Sequence, residues 1–89
     1  MQWDWDKTKD AANRRKHGLP LSLGASALAD PLALSRLDDH PDGERWNTVC
    51  QIENVLLFVV HTWADEADKG RIISVRKATK HERKAYENG

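Results

Sequence analysis

The sequence is poor in the features that mark several common classes of protein. Its 89 residues include one cysteine, Cys50, so no disulfide can form within the chain and a cysteine-rich metal site is excluded. The longest apolar run extends from Val55 to Val60 and is far too short to span a bilayer. No apolar leader segment follows Met1. We therefore expect a cytoplasmic protein that does not associate with membranes.

Motifs for metal and nucleotide chemistry are missing as well. The four histidines, at positions 17, 40, 61 and 81, do not have metal-binding spacing, and the patterns HExxH and CxxC are absent. There is no glycine-rich phosphate loop and no GxSxG sequence. The sequence thus predicts no metal, no cofactor and no ordinary serine esterase chemistry.

Charge is abundant but unevenly distributed. The formal net charge is zero, yet residues 69–84 carry seven Lys or Arg against one acid, Glu82. Residues 30–68 carry nine acids and only two cations, Arg36 and Arg45, whereas residues 1–18 are positive by two. A charge run often only solvates a helix face, but two basic segments in one small chain favour a patch that binds a polyanion.

Capping and turn signals predict two N-terminal helices. The first begins after the N-cap Asp6, runs through Lys16 and ends at Gly18. The second spans residues 21–28 and stops before an Asp-Pro pair, with Gly24 as an interruption.

The rest of the chain predicts a sheet and a last helix. Strands are expected at 32–37 (an edge strand), 45–52, 55–63 and 71–77, with turns at 38–43, 53–54 and 64–70. Alternation in the last strand puts Ile73 and Val75 on one face and Ile72, Ser74 and Arg76 on the other. A capping box of Thr79 and Glu82 begins the C-terminal helix.

These elements predict one α+β domain over residues 1–89. It has two N-terminal helices, a three- to four-stranded antiparallel sheet and a C-terminal helix. We expect the helices to pack on one face of the sheet and leave the other face free.

Several side chains suit RNA cleavage without a metal, which needs a base near the 2′-hydroxyl, cations for the phosphorane and an acid for the leaving oxygen. Arg45, Arg71 and Arg76 lie at ends or turns of predicted strands and are the candidate cations. His17 or His61 is the candidate for proton transfer, and His81 could also exchange protons. Glu82 and Tyr86 are candidates for an assisting role. Four more cations are predicted to contact RNA phosphates: Lys16, Lys77, Lys80 and Arg83.

Each candidate also has a structural interpretation. His17 lies in the last turn of its helix, where the helix dipole favours a cation. His61 ends an apolar strand and could be a hydrogen-bonded, half-buried side chain. Glu82 could serve only as a cap, and Tyr86 could pack against the sheet. Trp46 and Trp63 could stack on bases, whereas the core interpretation applies to all four tryptophans.

A set of short motifs, in order along nearly the whole chain, resembles the BrnT family of toxins. The motifs are Trp5-Asp6, Lys9, Asn13, Lys16-His17-Gly18, Asp30-Pro31, Gly43-Glu44-Arg45, Val59-Val60-His61-Thr62, Arg71-Ile72-Ile73-Ser74, Arg76, Ala78, Glu82 and Tyr86.

The resemblance implies a RelE-like ribonuclease fold and arrest of translation by RNA cleavage. It also implies neutralisation by a BrnA-type antitoxin, with operator DNA bound only through the toxin–antitoxin complex. From the residues alone, a competing hypothesis is a non-enzymatic module that binds nucleic acid or an acidic protein segment. A toxin fold whose nuclease activity has decayed is a further alternative.

Overall fold

The computed structural model describes residues 2–41, 43–63 and 68–89. Its elements, in chain order, are β1 (Gln2–Asp4), α1 (Lys7–His17), α2 (Leu21–Ala27), β2 (Leu34–His40), β3 (Gly43–Ile52), β4 (Val55–His61), β5 (Lys69–Lys77) and α3 (Lys80–Glu87). The α+β class, the two N-terminal helices and the C-terminal helix are confirmed. Most of the turn predicted at 64–70 lies outside the described residues.

The sheet has five strands in the order β1-β5-β4-β3-β2. Strands β2 to β5 pair in antiparallel fashion, whereas β1 lies parallel to β5, with Gln2 opposite Lys69 and Asp4 opposite Arg71. The prediction of a wholly antiparallel sheet of three or four strands is therefore wrong. Three residues are too few to show an alternating pattern, so β1 is defined only by its pairing with β5.

The predicted caps of α1 and the predicted start of α3 are confirmed, whereas α2 ends at Ala27, one residue earlier than expected. Asp6 accepts hydrogen bonds from the backbone N–H groups of Thr8 and Lys9, and Gly18 ends α1 in the left-handed conformation at φ 72°. Both bonds of the capping box between Thr79 and Glu82 are present at the start of α3. These short-range contacts satisfy helix-end groups that would otherwise lack partners.

Gly24 lies within α2 because the helix approaches the sheet closely. A β-carbon at this position would stand 2.6 Å from Cγ2 of Val75 and 3.3 Å from Cγ1 of Val59. Leu21 and Ala27 on the same helix are fully buried. Gly24 therefore does not interrupt the helix as expected. A glycine is needed there because α2 packs so closely against the sheet.

The core lies between α2 and one face of the sheet, which we call the helical face. Its buried residues are Leu21, Ala27, Cys50, Leu57, Val59, Ile72 and Val75. The predicted separation of Ile72 from Val75 is wrong, because both are fully buried in this cluster. A register shift at Val60/His61 makes His61 pair with Ile72 while Val60 pairs with Ser74, so Ile73 is an extra residue that breaks the alternation.

Helix α3 packs against the opposite face, which corrects the expectation that all helices share one face. His81, Glu82 and Ala85 of α3 border a cavity whose floor includes Val49 and Phe58. None of the described helices is long and apolar enough to cross a membrane.

Asn13 joins α1 to the edge of the sheet. Its side-chain amide donates to the carbonyls of Leu19 and Val75, at 2.8 and 2.9 Å, and its oxygen accepts from the N–H of Val75 at 3.1 Å. The residue is 6 % exposed. Strand β1 pairs with β5 only as far as Arg71. Asn13 therefore supplies partners to a stretch of β5 that β1 does not reach.

Replacing Asn13 with Ala should destabilise the fold strongly. The substitution leaves two carbonyls and one N–H without partners in a buried setting, which we expect to lower the free energy of unfolding by on the order of 3 kcal/mol. Urea denaturation followed by circular dichroism measures this loss. Arg15→Ala, at an exposed position of the same helix, is the control and should change stability by about 0.5 kcal/mol or less. An equal loss in the two variants would contradict the role given to Asn13.

Candidate active site

Four arginines lie on the sheet face opposite the helical face, and we call it the arginine face. Arg36 belongs to β2, Arg45 to β3, and Arg71 and Arg76 to β5. Each arginine is next in sequence to a residue whose side chain lies on the helical face. Because successive side chains of a strand alternate between the two faces, all four arginines lie on the opposite face. The three cations expected from the sequence to act together, Arg45, Arg71 and Arg76, thus share one surface.

Arg45 and Arg71 flank β4 at one end of the sheet. Trp46 and Ile72 both pair with His61. Arg45 and Arg71, which directly precede them, therefore lie at the same level across the sheet. Two interstrand spacings separate their backbones by about 10 Å, which long arginine side chains can bridge to one phosphate group. Nε of Arg71 lies 3.0 Å from Oδ1 of Asp4. Both groups are largely exposed, so this pair contributes little stability and a phosphate can replace the carboxylate.

Arg76 is held at the junction of β5 and α3. Its two terminal nitrogens each lie 2.8 Å from one carboxylate oxygen of Glu82, and its guanidinium carbon lies 4.1 Å from the ring centroid of Phe58. Hydrogen bonds from Arg76 hold the pKa of Glu82 below its usual range. Glu82 therefore remains an anion near neutral pH that orients Arg76 and caps α3, which suits it poorly to act as a base.

A groove between α1 and β5 brings Arg76 close to the basic end of α1. Its volume is about 440 Å³, and its polar lining includes Lys9, Lys16, His17, Ser74 and Arg76. The structure thus brings the adjacent residues Lys16 and His17 to the same opening as Arg76, which is far away in the sequence.

Arg36 and Asn47 belong to the arginine face but were missed in the sequence. They are directly opposite each other on β2 and β3, and with His81 and Glu82 they border a cavity of about 210 Å³. The one signal that could have found them is strand alternation, which puts Arg45 and Asn47 on the same side of β3. Arg36 and Arg45 are also the only cations of the acidic middle segment.

His61 lies away from the arginine face. It is 1 % exposed, its Nε2 is 2.7 Å from the hydroxyl of Thr48, and its Nδ1 is 3.1 Å from the carbonyl of Thr62. A proton on Nδ1 satisfies both contacts, because Nδ1 then donates to the carbonyl and Nε2 accepts from the hydroxyl. Burial lowers the pKa of His61, so the ring stays neutral. The structure places it in a buried hydrogen-bonded setting, not beside the cations.

Tryptophans surround this histidine. Trp3 and Trp63 each make ring contacts with His61, and Trp46 packs edge-on against Trp63 at a centroid distance of 6.4 Å. Trp63 is 46 % exposed. The aromatic cluster therefore lies on the helical side of the sheet and extends to its surface.

Tyr86 and the remaining predicted cations lie on α3 or just before it. The hydroxyl of Tyr86 donates to Asp30 at 2.6 Å, and this bond raises the pKa of Tyr86 to about 12. Tyr86 thus ties α3 to the segment after α2. The remaining predicted phosphate contacts, Lys77, Lys80 and Arg83, are exposed at the end of β5 and on α3.

Comparison with known proteins agrees with the geometry. Residues 5–82 match the family model described as ribonuclease toxin, BrnT, of type II toxin-antitoxin system. A search of curated proteins gave no match. The family match covers most of the chain and includes α1, every strand from β2 to β5 and the Arg76–Glu82 pair. The resemblance seen in the sequence is therefore confirmed, and the chain belongs to the BrnT family of ribonuclease toxins of type II toxin-antitoxin systems.

Proposed function

We propose that this chain, as a single RelE-like toxin domain over residues 1–89, cleaves RNA on its arginine face without a metal and so arrests translation in the cytoplasm. The observation that carries the proposal is the presence of four strand arginines on one sheet face, beside a groove that holds a histidine. Arginine forks match phosphate oxygens and supply the positive charge that a metal ion supplies in other nucleases.

The proposed reaction is attack of the ribose 2′-oxygen on the adjacent phosphorus. A base removes the proton of the 2′-hydroxyl as the bond from O2′ to phosphorus forms. The bond from phosphorus to O5′ then breaks, and an acid protonates the leaving oxygen. The products are a 2′,3′-cyclic phosphate and a 5′-hydroxyl.

The structure supports particular residues for these roles. Arg45 and Arg71 are proposed to hold the scissile phosphate, and Arg76, oriented by Glu82, to stabilise its developing charge. His17 is the proposed proton-transfer group, because it shares a groove with Arg76 whereas His61 is buried on the other side.

Further cations would hold the RNA strand on either side of the reacting phosphate. Lys16 lines the groove beside His17. Lys80 and Arg83 lie together on an exposed surface of α3, and Lys77 is exposed just before that helix. We propose that these residues contact backbone phosphates and that Glu82 and Tyr86 assist by positioning α3.

Regulation by a partner belongs to the same proposal. The family implies an antitoxin partner. We infer that a BrnA-type antitoxin neutralises this chain by covering the arginine face, and that operator DNA is bound only through the complex of the two proteins. An acidic antitoxin segment would compete with RNA for the same arginines.

One observation favours the alternative of a non-enzymatic binding module. Arg71 and Arg76 are already paired with Asp4 and Glu82. If these pairs persist when RNA arrives, the surface would bind phosphates weakly and would not stabilise a transition state.

Expression of this chain without an antitoxin should arrest growth and degrade RNA. With purified protein, cleavage should continue in excess EDTA and should leave 2′,3′-cyclic phosphate and 5′-hydroxyl ends, because arginines supply the charge stabilisation. End-group analysis of a short labelled RNA provides the measurement. Intact RNA in the presence of folded protein would favour the binding module. Loss of cleavage in EDTA, with recovery on adding Mg²⁺, would refute metal independence.

Arg45→Ala and Arg71→Ala should each lower kcat/KM for RNA cleavage by about 100-fold, the usual effect of removing one group that stabilises transition-state charge. Arg45→Lys and Arg71→Lys should recover only part of the rate, since an ammonium lacks the planar fork. Single-turnover cleavage assays measure these rates, with Arg15→Ala as the matched control away from the groove lining. A rate near wild type in both alanine variants would contradict the assignment.

His17→Gln should lower kcat by roughly 100-fold or more, the usual cost of losing a proton-transfer group. His81→Gln should leave kcat near the wild-type value, although His81 borders the cavity on the arginine face. Single-turnover cleavage assays of both variants and the wild type provide the comparison. A loss of activity in His81→Gln alone would assign the proton-transfer role to His81.

A further inference from the structure

The outer edge of β2 is open. β2 is the last strand of the sheet, and on the side away from β3 no other strand of the described residues lies beside it. Ser35, Arg36 and Leu37 in its centre are exposed, and Leu37 is 52 % exposed despite being apolar. A seven-residue edge strand with unpaired backbone groups is a template for another strand.

The charges along β2 suit a second copy of the same strand. In a two-fold antiparallel pairing centred on Leu37, Arg36 is opposite the partner's Asp38, and Asp38 is opposite the partner's Arg36. Both charge pairs lie on the arginine face, since residues 36 and 38 have the same orientation. Within its own chain Arg36 is opposite Asn47 and Asp38 is opposite Arg45. The sheet therefore places no acid directly across from Arg36, and in the dimer the partner's Asp38 lies between its own Arg45 and this Arg36.

The neighbouring registers are unfavourable. In the nearest alternative registers that keep the two arginine faces on the same side of the sheet, the two-fold axis passes through residue 36 or residue 38. Arg36 would then be opposite the partner's Arg36, or Asp38 opposite the partner's Asp38. Directly opposed like charges destabilise strand pairing, so the order Arg36, Leu37, Asp38 selects one register.

We propose that two copies of this chain form a symmetrical dimer through β2, in the register centred on Leu37. The two five-stranded sheets then make one ten-stranded sheet, and the two arginine faces lie side by side. On the other face, Leu37 packs against the partner's Leu37, with Trp46 next to it on β3. This proposal does not depend on the nuclease activity.

The dimer should be weak. One pair of seven-residue strands with a small apolar contact buries less than a standard interface of about 1,600 Å². We therefore expect association in the micromolar range or above, sensitive to salt because its register depends on exposed charge pairs.

Charge reversal tests the pairing. In sedimentation equilibrium the wild type should dimerise with rising concentration, whereas Arg36→Asp alone and Asp38→Arg alone should remain monomeric. An equimolar mixture of the two variants should form heterodimers, because each opposed position again joins an acid and a cation. Arg15→Asp, a reversal on exposed α1, should leave dimerisation unchanged. A wild type that is monomeric into the high micromolar range, or a mixture without heterodimers while both variants are folded, would overturn the proposal.

Cross-linking tests it without altering charge. Leu37→Cys should oxidise rapidly to a disulfide-linked dimer, since the two β-carbons lie directly opposite at about 5 Å. Val55→Cys, also at an exposed strand position, should cross-link much more slowly. Cys50 does not interfere, because burial raises the pKa of its thiol to about 12. Equal cross-linking rates for the two variants would also overturn the proposal.

Discussion

The contact between Asn13 and Val75 is the constraint on which the site depends most. It gives a buried polar side chain three backbone partners in two segments, the loop before α2 and the part of β5 that β1 does not cover. By fixing α1 against β5, it also fixes Lys16 and His17 beside Arg76. The groove proposed for RNA thus exists because one amide satisfies a strand edge that β1 leaves unpaired.

The two faces of the sheet separate the core from the proposed site. Residues of the helical face form the core under α2, and the approach is so close that only glycine fits at position 24. Their sequence neighbours form the arginine face, where Arg71 pairs with Asp4 and Arg76 with Glu82. The extra residue at Ile73 keeps both Ile72 and Val75 in the core while Arg71 and Arg76 remain on the opposite side.

Glu82 connects the two roles within α3. It caps the helix through Thr79 and holds Arg76 with two short hydrogen bonds. The same carboxylate that stabilises the helix end therefore orients a proposed catalytic cation and partly neutralises it. At the proposed site RNA would have to compete with this internal acid for Arg76.

The sequence by itself determined the three helices, the caps of α1 and α3, the approximate positions of strands β2 to β5, the uneven charge and the family. The turn predicted at 38–43 is wrong at 38–40 and 43, which belong to β2 and β3. Asp6, Gly18 and the Thr79–Glu82 box act over three or four residues, so their outcome needs no knowledge of the fold. Only the tertiary structure decided the position of β1, the register shift at Ile73, the burial of His61 and the gathering of four arginines. These features depend on contacts between residues far apart in the chain, such as Asn13 with Val75, and periodicity within one strand carries no information about its neighbours.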